Sequence, residues 1–420
     1  MKDMSVPIIE FTKKTNWETY RIGNLCDILT GFPFPGDKIK DDGTYLLMRG
    51  INITEGIVRH SDDIDRYYDG STIGLEKYFL HEGDLVIGLD GSKVGKNSAL
   101  VTAYESSSLL VQRVARLRNK DLDIIRLIQI AIKSSKFIKY IDEIKTSSAI
   151  PHISPEDIKS FRVSLPTASQ IRSLVVSYFQ SLDSLIQTTE KKIASLKQVK
   201  EASLQAMFPA EGETVPKVRF KGFEGEWKNM VIGEAGNTFS GLIGKNKLDF
   251  GVGEAQYITF LNVLNNAQID TDILEYVNVS KDERQNDVRI GDLFFNTSSE
   301  TPEEVGMCSV LTQDVRNVYL NSFCFGFRIS DSGLCPEYMA YLMRGPVGRR
   351  IMSILAQGAT RFNLSKNNFL RASIPCPQNY TEQQKIASYF TNLDKQIGIQ
   401  KKRHEKLKQI KSACLDAMFV

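Results

Sequence analysis

Two glycine-rich segments of this chain come close to the pattern that binds nucleotide phosphates. In residues 91–97 (GSKVGKN) the two glycines are one residue too close together, and Asn97 stands where a Ser or Thr is needed to bind Mg²⁺. Residues 241–246 (GLIGKN) form a still shorter version. Neither segment is therefore expected to hold a nucleotide.

The other residues with chemical potential do not form a catalytic pattern either. The sequence has no H-E-x-x-H motif, no C-x-x-C pair among its 6 cysteines and no N-P-P-[FY] motif for an extruded base. Residues 155–159 (PEDIK) resemble a nuclease cluster only faintly, and a helix start capped by Ser154 explains them better. No nucleophile motif accompanies His60, His81 or His152. We predict a chain that is not an enzyme and binds no metal or cofactor.

Bulk composition sets the class of protein. The 420 residues fit two lobes, and no apolar run is long enough to cross a bilayer. The first residues lack the hydrophobic segment of a secretory signal, so we predict a soluble cytoplasmic protein with no membrane partner. With 53 basic and 50 acidic residues the net charge is only +3, so any contact with nucleic acid must be local.

The strongest signal in the sequence is an internal repeat. Residues 178–208 recur as residues 389–419, with Y-F-x-x-L-D near the start of each copy and L-K-Q-[VI]-K-x-A-x-L-x-A-M-F at its end. No insertion or deletion separates the two copies. A duplication of half the chain predicts two equivalent lobes, each followed by the same helix.

The repeated segments have the apolar spacing of long helices that pair. About 38 residues at 1.5 Å rise make a rod roughly 57 Å long, which needs a partner for its apolar stripe. A pseudo-two-fold axis would pair the copies antiparallel, with the lobes at opposite ends of the rod. Polar interruptions fall at Thr189, Gln400 and His404. The predicted helix-pair seam consists of Val175, Phe179, Leu182, Ile186, Ile193, Leu196, Ile386, Phe390, Leu393, Ile397 and Leu407.

The fold class follows from the lobes. Short β-rich runs broken by turn signals accompany helical patterns over residues 123–140 and 337–355, without a regular βαβ alternation. The prediction is an α+β fold with two pseudo-symmetric globular domains separated by an antiparallel pair of long coiled-coil helices. The predicted boundaries are 1–168 for the first lobe, 169–208 for its helix, 209–216 for a linker, 217–380 for the second lobe and 381–420 for the second helix.

Shorter motifs are repeated as well. Trp17-x-x-x-x-Ile22-Gly23 recurs as Trp227-x-x-x-x-Ile232-Gly233, and the Gly-Asp-Leu of residues 83–85 recurs at 291–293. With residues 216–223 (PKVRFKGF), residues 360–365 (TRFNLS) and the repeated helix, the whole chain resembles the specificity subunit of type I restriction-modification enzymes. One departure is Ile171-Arg172 where the second copy has Glu382-Gln383.

The resemblance implies a division of labour. Each lobe would be a target recognition domain for one half of a bipartite sequence in double-stranded DNA. The helices would space the lobes and dock two methylation subunits, which carry S-adenosylmethionine and methylate adenine. Two restriction subunits with motor and nuclease activity can join them. No cofactor is expected in this chain.

Candidate DNA contacts follow from where a rigid scaffold places polar loops. Base recognition uses short polar and basic side chains, and such residues follow each Gly-Asp-Leu strand and precede each long helix. The candidates are Ser92, Lys93, Lys96, Lys145, Thr146, His152, Thr297, Ser298, Ser299, Glu300, Arg361, Asn363 and Lys366.

Two alternatives stay open at this point. One is a fused enzyme that methylates or cuts DNA alone, which the missing motifs disfavour. The other is a coiled-coil scaffold with two protein-binding lobes, which predicts no salt-dependent DNA binding in the assembled complex.

Overall fold

The computed structural model describes residues 17–145, 150–280, 282–330 and 333–419. The chain divides into two compact units, unit 1 with residues 1–190 and 402–420 and unit 2 with residues 191–401. Each unit thus contains one lobe and a part of each long helix. Among the described residues, no helix has the length and apolar character needed to cross a bilayer.

The strands in the lobe of unit 1 are β1 (Trp17–Arg21), β2 (Asp27–Thr30), β3 (Ile39–Lys40), β4 (Tyr45–Met48), β5 (Glu55–Gly56), β6 (Tyr67–Tyr68), β7 (Leu85–Gly88), β8 (Ser98–Leu100), β9 (Leu109–Leu110), β10 (Val114–Arg118) and β11 (Arg162–Pro166). They form a five-stranded sheet of order β2-β10-β7-β8-β5 and a four-stranded sheet of order β3-β6-β4-β9, while β1 pairs with β11. The helices are α1 (Ile22–Leu25), α2 (Leu122–Ala131), α3 (Ser135–Ile144), α4 (Pro155–Ser160) and the long α5 (Ser169–Ala206).

The strands in the lobe of unit 2 are β12 (Lys228–Val231), β13 (Gly236–Ser240), β14 (Phe250–Ile258), β15 (Glu275–Val277), β16 (Leu293–Asn296), β17 (Ser298–Ser299), β18 (Cys308–Val310), β19 (Val318–Leu320), β20 (Cys324–Ile329), β21 (Ala356–Gln357), β22 (Phe362–Leu364) and β23 (Ser373–Cys376). They form a four-stranded sheet of order β13-β20-β16-β18 and two three-stranded sheets, β15-β14-β19 and β17-β22-β21, while β12 pairs with β23. The helices are α6 (Ile232–Ala235), α7 (Phe260–Asn265), α8 (Pro336–Arg344), α9 (Pro346–Leu355), α10 (Lys366–Arg371) and the long α11 (Tyr380–Phe419).

Local chemistry explains where the short helices begin. Each predicted helical stretch is in fact a pair of helices, because Ser134 caps the start of α3 in the first lobe and Pro346 occupies the first turn of α9 in the second. The PEDIK segment is a helix start, as predicted. Ser154 accepts a hydrogen bond from the Asp157 amide, and the Asp157 carboxylate accepts from the Ser154 amide in return.

The Gly-Asp-Leu motif has the same structural role in both lobes. Asp84 accepts two hydrogen bonds from the guanidinium of Arg118 on β10, at 2.7 and 2.6 Å. Asp292 accepts two from Arg328 on β20, at 2.8 and 2.7 Å. Both carboxylates are buried, and these bonds raise the pKa of each arginine. A bidentate ion pair thus locks the strand that follows the motif to a neighbouring strand of its sheet, β10 in the first lobe and β20 in the second.

The two long helices pack antiparallel within each unit. In unit 1, Lys411 pairs with Asp183 and the hydroxyl of Tyr178 lies 3.5 Å from the Cys414 sulfur. The partner number falls along α11 as the number rises along α5, which defines an antiparallel pair.

Unit 2 repeats these contacts with the roles of the helices exchanged. Lys200 lies 2.5 Å from Asp394, and the hydroxyls of Ser203 and Tyr389 are 2.9 Å apart. Because the partners sit at equivalent places in the sequence repeat, the contacts of each unit are copies of the other's. The α+β fold with two lobes and an antiparallel pair of long helices is therefore confirmed.

Every residue of the predicted seam is buried or half-buried. Its buried members are Val175, Phe179, Leu182, Ile386, Phe390, Ile397 and Leu407, and its half-buried members are Ile186, Ile193, Leu196 and Leu393. The interruption at Thr189 is also buried, and its hydroxyl donates to the Leu185 carbonyl at 2.7 Å. A threonine is tolerated there because its own helix satisfies the polar group.

Candidate nucleic-acid interface

In the first lobe, the loop after β7 meets the segment before α4. The Ile153 amide donates to the Leu89 carbonyl at 3.0 Å, and the Gly91 amide donates to the Pro151 carbonyl at 3.0 Å. Between these bonds, Asp90 and His152 form an antiparallel bridge. Two predicted loop groups, one containing Ser92 and the other His152, therefore share one surface.

The second lobe joins the equivalent segments in the same way. The Leu364 amide donates to the Thr297 carbonyl at 2.9 Å, and β17 pairs antiparallel with β22 so that Ser298 lies opposite Asn363. Ser299 lies opposite Phe362 in the same pairing. The structure thus brings residues 297–299 next to Asn363, although the two segments are far apart in sequence.

The basic candidates of the first lobe each have an acidic neighbour. Lys93 donates to Glu55 at 2.8 Å, while Lys96 and Lys145 both reach Asp142, at 3.3 and 2.8 Å. The hydrogen bond from Lys145 is the main reason why the pKa of Asp142 is lowered. Pairs of this exposure contribute little to stability, so a DNA phosphate can replace the carboxylate at small cost. Ser92 is exposed, and Thr146 lies outside the described residues.

The candidates of the second lobe differ in how much they present to solvent. Glu300, Arg361 and Asn363 are exposed, whereas only 6% of Ser298 is accessible. The hydroxyl of Ser299 donates to Glu304 at 2.9 Å. The ammonium of Lys366, which is half-buried, donates to the Ser240 hydroxyl at 2.8 Å. Ser298 therefore takes part through its backbone pairing rather than through its side chain.

A third segment, which the sequence analysis missed, completes the surface in each lobe. It is the turn that directly precedes β10 in the first lobe and β20 in the second. The Leu89 amide donates to the Arg113 carbonyl at 2.9 Å, and the Thr297 amide donates to the Phe323 carbonyl at 2.9 Å. The Thr297 hydroxyl also donates to the Phe323 carbonyl, at 2.8 Å. The available signal was position, since both turns directly precede the strand that carries the arginine paired with the Gly-Asp-Leu carboxylate.

The acidic loop of the second lobe, residues 302–306, rests on a half-buried arginine of α9. The Arg349 guanidinium donates to the carbonyls of Glu303 and Gly306 at 2.9 and 3.1 Å, and to that of Val305. Burial lowers its pKa to about 10, so it remains protonated at neutral pH. From the other side, the Asn296 amide donates to the Glu304 carbonyl at 2.9 Å. The loop next to Ser299 is therefore held rigidly in place.

We expect Arg349→Lys to loosen this loop. A lysine has one nitrogen where the guanidinium fork bonds several carbonyls, so about 1–3 kcal/mol of local stability should be lost. Hydrogen exchange followed by mass spectrometry should show faster amide exchange in residues 302–306. Arg350→Lys is the matched control, because the side chain of Arg350 is more exposed than that of Arg349 and pairs with Glu211. Equal exchange in both variants would contradict the role given to Arg349.

Histidine and cysteine side chains are held in structural settings. His60 lies between two carboxylates, 3.2 Å from Asp65 and 3.1 Å from Glu105. Burial raises the pKa of the thiols of Cys26 and Cys376 to about 12, so they stay protonated. In the described ranges, no group of three or more His, Cys, Asp or Glu side chains is arranged to hold a metal ion.

These lobes and helices define a known class of protein. A family model described as the type I restriction modification DNA specificity domain matches the chain twice, over residues 14–198 and 224–409. The chain belongs to this family of type I specificity subunits. In that family catalysis resides on other subunits, which agrees with the prediction that this chain is not an enzyme.

Individual relatives resemble the chain at different levels. The type I restriction enzyme EcoAI specificity subunit of Escherichia coli is 30% identical over 198 residues, which is 46% of this chain and 32% of that protein. The match therefore spans about a third of the length of this curated relative. The type I restriction-modification S subunit from M. genitalium has the same fold, with a TM-score of 0.58, 14% identity and 97% of each chain covered. A chain from a structural study of type I complex assembly and conformational transition gives a TM-score of 0.54 at 16% identity, over 96% of this chain and 98% of that one.

Proposed function

We propose that this chain is the non-catalytic DNA sequence-specificity subunit of a type I restriction-modification complex. Each lobe recognises one half of a bipartite target in double-stranded DNA. One observation carries the proposal: the two lobes join the same three segments by equivalent hydrogen bonds but place different side chains on them. Equivalent backbones with different side chains are what two different half-sites require.

The candidate surfaces also differ in charge, which supports separate half-sites. The first lobe presents Lys93, Lys96 and Lys145, which suit phosphate contacts. The second presents Glu300 beside Arg361 and Asn363. Glutamate accepts hydrogen bonds from the cytosine amino group, and asparagine suits adenine. The charged and polar side chains of the two lobes therefore suit different contacts with DNA.

Membership of the family supports the proposed partners. The paired helices dock two methylation subunits, which bind S-adenosylmethionine and methylate adenine, and two restriction subunits join where cleavage occurs. The helices also set the distance between the half-sites, since a stiff spacer converts its length into a geometric constraint. Because the complex acts on genomic DNA, its proposed location is the cytoplasm. With a net charge of +3, the isolated chain binds DNA weakly and gains affinity from its partners.

Methylation in cells tests the proposal. We expect that cells expressing this chain together with methylation subunits carry methylated adenines in one two-part sequence with a fixed gap. Single-molecule sequencing of genomic DNA measures this directly. Cells that express the methylation subunits alone are the control and should lack the mark. Absence of a two-part mark, or methylation by this chain alone, would refute the proposal; lack of salt-dependent DNA binding by the complex would favour a protein scaffold.

A further inference from the structure

The turn that precedes β10 in the first lobe and β20 in the second is closed by equivalent hydrogen bonds, although Arg113 has a left-handed backbone (φ 67°) and Phe323 does not. The Val114 amide donates to the Val111 carbonyl at 3.3 Å, and the Cys324 amide donates to the Asn321 carbonyl at 3.1 Å. Each turn packs against a glycine. A Cβ atom on Gly31 would lie 2.2 Å from the Val111 carbonyl oxygen. The same atom on Gly241 would lie 2.1 Å from that of Asn321. The close approach fixes the position of the turn in each lobe.

The side chains at the third position of these turns have opposite chemistry. Arg113 is a cation whose side chain is 65% exposed, and Phe323 is an aromatic that is 57% exposed. The carbonyl group of each residue accepts a hydrogen bond from the first amide of the candidate DNA-binding loop, which belongs to Leu89 in the first lobe and Thr297 in the second. These bonds place Arg113 and Phe323 at equivalent positions of the two turns, next to the polar loops.

We propose that this turn position is a specificity-determining position, at which Arg113 contacts guanine and Phe323 contacts the 5-methyl group of thymine. The inference rests on the proposed function and deepens it. Arginine is suited to the O6 and N7 acceptors of guanine in the major groove, and an apolar side chain distinguishes thymine by its methyl group. A phenylalanine gains nothing from a phosphate, so its place among polar loops favours contact with a base edge.

The ion pair of Arg113 is compatible with this role. Its Nη1 atom lies 3.0 Å from Asp90, which is itself bridged to His152 on the neighbouring segment. The pair orients the guanidinium while its remaining donors can serve a bidentate contact. Phe323 is held by a different device, since its amide donates to the side-chain oxygen of Asn321 at 2.8 Å.

The second lobe supplies a matched control. Ile290 is also a large exposed apolar residue, at 61%, but it precedes β16 while the loop beside Phe323 follows that strand. It therefore lies at the other end of the same strand. A general effect of exposed apolar surface would change both residues alike, whereas base contact concerns Phe323 alone.

The test removes the methyl group from the DNA and the ring from the protein. The complex of this chain with methylation subunits is titrated with DNA duplexes that contain the two-part sequence identified by adenine methylation. In these duplexes deoxyuridine replaces each half-site thymine in turn. At one position in one half-site, we expect wild-type binding to weaken about fourfold, as expected for one buried methyl group. Phe323→Ala should bind the two duplexes equally, and Ile290→Ala should discriminate as the wild type does. Phe323→Arg should shift the preferred base at that position to guanine.

The outcomes separate the inference from the function on which it rests. If Phe323→Ala retains the full preference for thymine over deoxyuridine, or if no position discriminates in the wild type, the inference is overturned while the proposed function stands. If the wild-type complex makes no two-part methyl mark, both are overturned. Equal thermal stability of the Phe323→Ala, Ile290→Ala and wild-type chains excludes misfolding as the cause.

Discussion

Replacing Asp292 by alanine should lower the free energy of unfolding of unit 2 by about 3 kcal/mol. The carboxylate is 1% exposed, accepts two hydrogen bonds from Arg328 and a third from the Arg289 amide at 2.8 Å. Its removal leaves a partly buried guanidinium without its counter-ion. We place the cost at the low end of the range for broken buried pairs, because the Arg328 side chain remains partly hydrated.

The measurement can be confined to unit 2. The chain has 2 tryptophans, Trp17 and Trp227, so a Trp17→Phe background leaves the buried Trp227 as the fluorescent probe. Denaturant unfolding of this background gives the reference. Asp287→Ala is the control, because that carboxylate is exposed, pairs with exposed Arg289 at 3.3 Å and should change stability by less than about 0.5 kcal/mol. Similar midpoints for the two variants would show that the Gly-Asp-Leu ion pair does not hold the lobe together.

Replacing Phe390 by alanine should destabilise unit 2 by about 4 kcal/mol. The ring is fully buried where α11 meets the lobe, 5.9 Å from the ring of Phe208 and 5.2 Å from that of Tyr341. Truncation leaves a cavity between one helix, the end of the other and the core of the lobe. These three parts come from distant stretches of the chain, so local relaxation cannot fill the space.

The control for this variant lies on the same helix. Ile399 is substantially exposed, so Ile399→Ala removes apolar atoms without opening a cavity and should cost less than about 0.5 kcal/mol. The same Trp227 fluorescence follows both variants. A cost for Phe390→Ala as small as that for Ile399→Ala would contradict the packing of the repeated Y-F motif against the lobe.

The equivalent contact in unit 1 gives these results a wider meaning. Phe179 packs against Phe419 at 6.2 Å, and Phe419 packs edge-on against Trp17 at 5.9 Å. In unit 2 the matching ring, Phe208, packs edge-on against Trp227 at 6.3 Å. The end of each long helix is thus part of the core of the lobe that contains the start of the other. Each tryptophan of the W-x-x-x-x-I-G motif is explained by this contact.

The sequence by itself determined the repeat, the long helices and their antiparallel pairing. The spacing of Phe179, Leu182 and their copies is local information that predicts an apolar stripe on each helix. A symmetric duplication leaves few ways to bury these two stripes. The helix cap formed by Ser154 was equally predictable, because it depends on neighbouring residues alone. The break between α2 and α3 was not seen, because the apolar pattern continues through it and only the cap at Ser134 marks it.

Only the tertiary structure decided which loops share a surface. The pairing of Ser298 with Asn363, and of Asp90 with His152, joins segments more than 60 residues apart, and no periodicity encodes such contacts. Phe323 and Arg113 were missed for the same reason. An arginine or a phenylalanine does not by its type indicate a binding site. Backbone hydrogen bonds from Leu89 and Thr297 hold Arg113 and Phe323 beside the candidate loops. Chemistry at a surface depends on which side chains are held together, and long-range backbone pairing decides that.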